Sequence, residues 1–228
     1  LRLLSHPNIS SREWFIKQMD HEVQGMSALK PLHTIAYSSD VTQSGPNDAA
    51  ILKPKSQVNF GLVISNGLQP RMAALDPYVM GQLAVDEAVR NALAVGADYG
   101  KEELLFGLNY QLSWPEKDQH DVEASARLAG LMIRASYGAK NASIELQTPF
   151  VSGIEKGITG TASRMHFVVQ SLARISKLGG IKSSDFKTPG DAIYLLGPAQ
   201  FGLLGSQIAD LNGAPEDAVM PAPDWDTA

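Results

Sequence analysis

The sequence predicts an α/β or α+β layered domain. Three observations carry that expectation. Short apolar runs with strand character alternate with stretches of helical period. The stretch from Pro77 to Val95 places Met80, Leu83, Ala84, Ala88, Ala92 and Val95 along one helical face. Glycine, proline and polar clusters punctuate the chain between these segments.

Taken in order, Ser10-Ser11-Arg12-Glu13 has the form of a capping box, so a short helix through Trp14, Phe15, Ile16 and Met19 should follow, stopped by Gly25. Residues 31–47 are rich in Pro, Ser, Thr and Asn and read as a loop. Ala49 to Lys53 and Val58 to Ser65 read as strands. Asp76 is placed to cap the long helix and Pro77 suits its first position. Gly96 should end it, and Asp86 and Arg90, four apart, should pair on its outer side. Leu104 to Leu112 reads as a strand. Val122 to Tyr137 reads as a second amphipathic helix, with Ala126, Ala129, Met132 and Ile133 turned inward and Gly138 after it. Ile144 to Gln147, Met165 to Leu172 and Ala192 to Leu196 read as strands, with the best domain boundary near Ser176.

Composition removes several function classes. The 228 residues contain no cysteine, which excludes a disulfide-stapled module and any thiolate zinc site. A formal charge of −5 argues against a dedicated nucleic-acid binder. Apolar residues make up 44%, enough for a globular core, but no apolar run approaches a membrane span. The charge is lopsided: beyond Lys187 lie six acidic residues and no Lys or Arg, leaving 19 basic against 18 acidic before that point. With Leu1 rather than Met at the start, this asymmetry suggests a piece of a longer polypeptide that stops early in its second domain.

Seven stretches together resemble one family. They are Leu4-Ser5-His6-Pro7-Asn8-Ile9-Ser10, Asp20-His21-Glu22-Val23-Gln24-Gly25, Gly45-Pro46-Asn47-Asp48-Ala49-Ala50, Leu75-Asp76-Pro77-Tyr78, Ala84-Val85-Asp86-Glu87-Ala88-Val89-Arg90-Asn91, Pro149-Phe150-Val151-Ser152-Gly153, and Gly190-Asp191-Ala192-Ile193-Tyr194-Leu195-Leu196-Gly197. In order and content they resemble the phosphoribosylformylglycinamidine synthase family, ATP-dependent amidine-forming ligases of purine biosynthesis. The resemblance implies a mixed sheet packed against helices, as in aminoimidazole ribonucleotide synthase. Residues 1–175 would be the N-terminal α/β domain of the second of two tandem units, and 176–228 the start of its C-terminal α/β domain. It also implies ATP and magnesium, a cytoplasmic setting, and a first-half copy plus a glutaminase domain or subunit as partners. Neither nucleic acid nor membrane is implied as a partner, and the piece is expected to be able to dimerise through its sheet.

The resemblance transfers roles residue by residue. Asp48, at a strand mouth, is the candidate magnesium ligand and nucleotide contact, or else a turn cap. Gly153 would let the backbone approach a nucleotide, with Glu155 as a metal ligand and Lys156 as a phosphate contact, or this is a solvated turn. His21 and Arg71 are candidate substrate contacts, against a structural histidine and a surface cation. The departures are equally specific. Ile154 follows Gly153 where the family carries polar residues, and Asn109-Tyr110 is preceded by Phe106, Gly107 and Leu108 without a carboxylate. Residues 140–147 look inserted. Ser65-Asn66-Gly67-Leu68-Gln69-Pro70 stands where the catalytic half carries Glu-Ser-His-Asn-His-Pro. The expectation is therefore an auxiliary half, inactive alone and without the catalytic base. The competing expectations are a silent structural module, or another ATP-using enzyme of the same fold such as a selenophosphate synthase or thiamine-monophosphate kinase.

Overall fold

The computed structural model describes residues 1–16, 25–30, 47–100, 106–115, 121–158, 165–196, 202–213, 218–223 and 225. Among these, α1 (Glu13–Ile16) is followed by β1 (Ser27–Leu29), β2 (Ala50–Leu52), β3 (Gly61–Leu68), α2 (Pro77–Ala94), β4 (Phe106–Pro115), α3 (Val122–Glu145), β5 (Phe150–Ile158), β6 (His166–Ile175) and α4 (Gln207–Asn212). The strands form one mixed sheet in the order β1-β2-β3-β6-β4-β5. Every neighbouring pair is antiparallel except β4 with β5, which run parallel on either side of the α3 crossover. The mixed sheet with helices on it is the fold class that the sequence predicts.

Alternation along the strands decides which face is covered. Val63 and Ser65 on β3, Phe167, Val169, Ser171 and Ala173 on β6, and Phe106, Leu108 and Leu112 on β4 are buried against the helices. From α2, Met80, Ala84, Val85, Ala88, Val89 and Ala92 meet them. The opposite face carries Leu52, Leu68 and Leu172, all exposed. Register places these on one side, since Leu52 pairs with Leu62, Ile64 with Leu172 and Leu68 with Val168.

The α2 expectations hold closely. Asp76 caps the helix by accepting from Tyr78 N–H at 2.8 Å, Pro77 takes the first turn, and Gly96 follows at φ +99°. Arg90 Nε reaches Asp86 Oδ1 at 2.8 Å.

Several expectations are corrected. The second helix does not stop at Gly138 but continues to Glu145, absorbing residues 140–145 and the strand expected at 144–147. Gly138 lies in mid-helix because α3 touches α2 there; a Cβ at 138 would collide with the Tyr78 carbonyl. The face of α3 that enters the core is Ala135, Gly138, Ala139, Ala142 and Ser143. Ala126, Ala129 and Ile133 are exposed, because the buried face of α3 is confined to its second half, where it packs on α2. Ser152 and Gly153 lie within strand β5 (Phe150–Ile158), not in a turn. β3 begins at Gly61, later than expected, and reaches Leu68, because β6 pairs with it residue by residue over that length. Residues 192–196 form no strand. Ile193, Tyr194, Leu195 and Leu196 are exposed, and among the described residues no strand lies beside them to accept their backbone groups. The α1 expectation beyond Ile16 falls outside the described residues.

Candidate functional site

The most developed chemistry lies at the β4–β5 edge. Parallel pairing sets Tyr110 beside Gly153, Leu112 beside Glu155 and Trp114 beside Gly157. The Tyr110 ring stacks on Phe167 at 5.4 Å between centroids and meets Phe150 edge-on at 5.6 Å. It also covers Gly153, where any Cβ would run into the ring. Gly153 thus serves an aromatic side chain here, and the nucleotide approach expected of a glycine turn has a tyrosine across it. The Tyr110 hydroxyl donates to Glu155 Oε1 at 3.5 Å. Burial first, and then the Glu155 carboxylate through charge and hydrogen bonding, push the Tyr110 phenol above its ordinary value of 10.0. Alternation turns Glu155 and Lys156 to opposite faces of an exposed strand.

The stretch 65–70 is held from α2. Ser65 Oγ lies 2.5 Å from the Ala88 carbonyl and 2.7 Å from Ser171 Oγ. Glu87 Oε2 accepts from Leu68 N–H at 2.8 Å and from Gln69 Nε2 at 3.1 Å. Asn91 Nδ2 donates to the Asn66 carbonyl at 2.9 Å. A Cβ at Gly67 would strike the Ala84 carbonyl, so glycine lets α2 lie directly on β3. Glu87 and Asn91 lie in the Ala84–Asn91 motif, but no local pattern marks them as a clamp. That role depends on which helix crosses the end of β3. No ionisable side chain stands within 65–70.

The remaining candidates scatter. Asp48 is exposed two residues before β2 and makes no hydrogen bond among the described residues, so it does not cap the turn. Its neighbour Asn47 does the joining, donating to the Lys30 carbonyl at 2.7 Å and accepting from Ser184 N–H at 3.1 Å. Arg71 is engaged. Its Nη2 reaches Asp210 Oδ2 at 2.8 Å and Gln207 Oε1 at 2.7 Å, tying the 3₁₀ turn Pro70–Ala74 to α4. Gln207 also meets His6 Nε2 at 3.2 Å and Asn8 Nδ2 at 3.3 Å. His21 lies outside the described residues.

Magnesium and ATP can be tested against this geometry. Asp48 leads into β2, while Glu155 sits on β5, four strand positions away, or about 19 Å at ordinary sheet spacing. Among the described residues no three His, Asp or Glu side chains converge to hold a metal ion. A magnesium–phosphate centre needs several oxygens at one point. The described residues do not fit a shared centre, and no phosphoryl-transfer step is assigned to them. No helix among them is long and apolar enough to cross a membrane.

Comparison with known proteins bears out the resemblance. No family model matches the chain. Phosphoribosylformylglycinamidine synthase subunit PurL of Methanocaldococcus jannaschii is 28% identical over 98% of this chain and 28% of its own length. The Gloeobacter violaceus subunit is 31% identical over 93% of the chain and 27% of its length. That of Thermococcus sibiricus is 31% identical over 93% and 26%. The chain thus spans about a quarter of the length of the curated relatives it matches. Among solved structures, the PurLQS assembly of Thermotoga maritima superposes with a TM-score of 0.57 at 16% identity, covering 77% of this chain and 25% of that one. Thermotoga maritima PurL complexed with AMPPCP gives 0.52 at 18%, covering 78% and 27%. At those identities the structural likeness is one of fold.

Proposed function

We propose that this chain is the second-half domain of a phosphoribosylformylglycinamidine synthase. The whole protein would convert formylglycinamide ribonucleotide, ATP and glutamine-derived ammonia to formylglycinamidine ribonucleotide. In this reading the chain is a framework half. Residues 1–175 form its N-terminal domain, residues 176–228 begin the next, and the catalytic base and the phosphoryl-transfer site belong to the sister copy. A glutaminase domain or subunit supplies ammonia, in the cytoplasm.

The observation that carries the proposal is the uncovered sheet face. Leu52, Leu68 and Leu172 stand exposed on the side opposite α2 and α3, in a chain that matches only a quarter of its relatives' length. Three exposed leucines on a sheet face that they share with Asn66, Gln170 and Arg174 can take a second layer, and a sister domain is the nearest candidate in such a polypeptide. The absence of any ionisable group in 65–70 and the Tyr110 ring over Gly153 favour a supporting role over a catalytic one. The rival reading is an auxiliary nucleotide site, in which Asp48 and Glu155 would each touch metal, Gly153 and Lys156 phosphate, and His21 and Arg71 substrate.

Calorimetric titration of the chain with magnesium-ATP and magnesium-ADP tests the framework reading. No heat at millimolar nucleotide is expected. Saturable binding that Asp48→Asn or Lys156→Ala abolishes would instead make this half an auxiliary nucleotide site. The ligase reading is tested separately, in the full-length protein, by ATP-dependent amidine formation from formylglycinamide ribonucleotide and ammonia. A full-length protein that forms none removes that reading.

A further inference from the structure

A groove of about 330 Å³ lies between the middle of α3 and strands β4 and β5. Leu112, Met132, Ile133 and Tyr137 form its walls, and among the described residues Glu155 is the one charged group in its lining. Ser136 also faces the groove, but its hydroxyl already donates to the Met132 carbonyl at 3.0 Å. Among the described lining residues the remaining polar capacity is the Glu155 carboxylate, which receives one long hydrogen bond from Tyr110 at 3.5 Å. Glycines at 153 and 157 flank Glu155 on the same strand face, so no neighbouring side chain on β5 screens it. The Tyr137 ring already holds the Lys140 ammonium, 5.6 Å from its centroid, so the attraction for a second cation comes from Glu155 and not from that ring.

We propose that this groove is a binding site for a small organic monocation, a quaternary ammonium whose methyl groups are its apolar surface. The cation would lie against Glu155 with its methyl groups between Leu112, Met132 and Ile133. The size suits one small ligand. A divalent metal ion is a poor match, because one carboxylate and a phenol supply too few oxygens. An anion would meet the wrong charge. The site is independent of the ligase reading, since neither nucleotide nor sister domain enters the argument.

Choline and its uncharged carbon isostere 3,3-dimethylbutan-1-ol differ in charge and little in shape, so the pair isolates the electrostatic contribution. Titration of the chain, followed by calorimetry and by the ring resonances of Tyr137, should show saturable choline binding about tenfold tighter than the alcohol. Glu155→Gln should remove about that same factor. Ile133→Lys, which places a cation on the exposed groove wall, should also abolish choline binding. Equal affinity for choline and the alcohol would overturn the proposal, as would unchanged affinity in Glu155→Gln. So would a lysine-bearing peptide that saturates the groove where choline does not.

Discussion

The Asp76 carboxylate and the Arg134 guanidinium meet at 2.8 Å, and the same Asp76 oxygen accepts the Tyr78 N–H. One carboxylate therefore caps α2 and ties it to α3. Burial works against the charged form. The Arg134 and Tyr78 hydrogen bonds, with the charge of Arg134, outweigh it and hold the Asp76 pKa below the ordinary 3.8. Asp76→Ala should cost about 1 kcal/mol through the lost cap. Asp76→Asn should cost less, because it keeps an oxygen for the cap and loses only the charge of a pair whose Arg134 side is exposed. A depressed folded-state pKa means that this contribution is present above the unfolded value and is lost as pH falls through the folded one. Urea unfolding of the chain and of Asp76→Asn should therefore show a gap in stability at neutral pH that closes in strong acid.

Gly138 and Gly81 govern how closely the two long helices approach. A Cβ at Gly138 would collide with the Tyr78 carbonyl, and one at Gly81 with the Ala135 carbonyl. In an open helix, glycine to alanine gains about 0.5–1 kcal/mol. Here the sign should reverse, with Gly138→Ala or Gly81→Ala destabilising by about 1–3 kcal/mol through overpacking. Thermal unfolding measures this, and Gly130→Ala is the control, because open space surrounds that position in the same helix.

Gly153 should behave as a packing residue. Gly153→Ala is expected to destabilise by about 1–3 kcal/mol, because the Tyr110 ring occupies the space that the methyl needs. In a Tyr110→Leu background most of that cost should disappear. A double-mutant cycle on unfolding free energy reads the coupling. Additive costs would mean that the ring is not the obstacle.

Tyr110 should also mark the alkaline limit of stability. Its folded-state pKa is raised, so above pH 10 the unfolded chain loses its phenolic proton first. The stability it contributes is full below that pH and is lost as pH rises through the folded value. Tyr110→Phe should flatten this dependence above about pH 10. Glu155→Gln should lower the phenol's pKa only part of the way, because burial is the larger cause. Spectroscopic titration of the phenolate checks both.

Local patterns carried much of this fold. The α2 helix could be read from Asp76-Pro77 at its start, the apolar stripe within it and Gly96 at its end, since capping and periodicity act over a few residues. The motif stretches were enough to indicate the family resemblance, which extends over nearly the whole chain. Where reading failed, the cause was distant in sequence. Gly138 looks like a helix stop until Tyr78 is found against it. Ser152-Gly153 looks like a turn until β4 pairs alongside. Ala126, Ala129 and Ile133 look like core until α3 is found to bury only its second half.

The site divides in the same way. The lack of ionisable groups at 65–70 and the missing carboxylate before Asn109 could be read directly from the residues, because identity alone decides whether a group can ligate or take a proton. The clamp by Glu87 and Asn91, the engagement of Arg71 with Asp210, and the four strand positions between Asp48 and Glu155 came only from the fold. Residue identity and short-range periodicity determine which chemistry is available and which segments can be helix or strand. Sheet order and helix crossing decide which groups meet, because those contacts join residues tens of positions apart and leave no local mark on the chain.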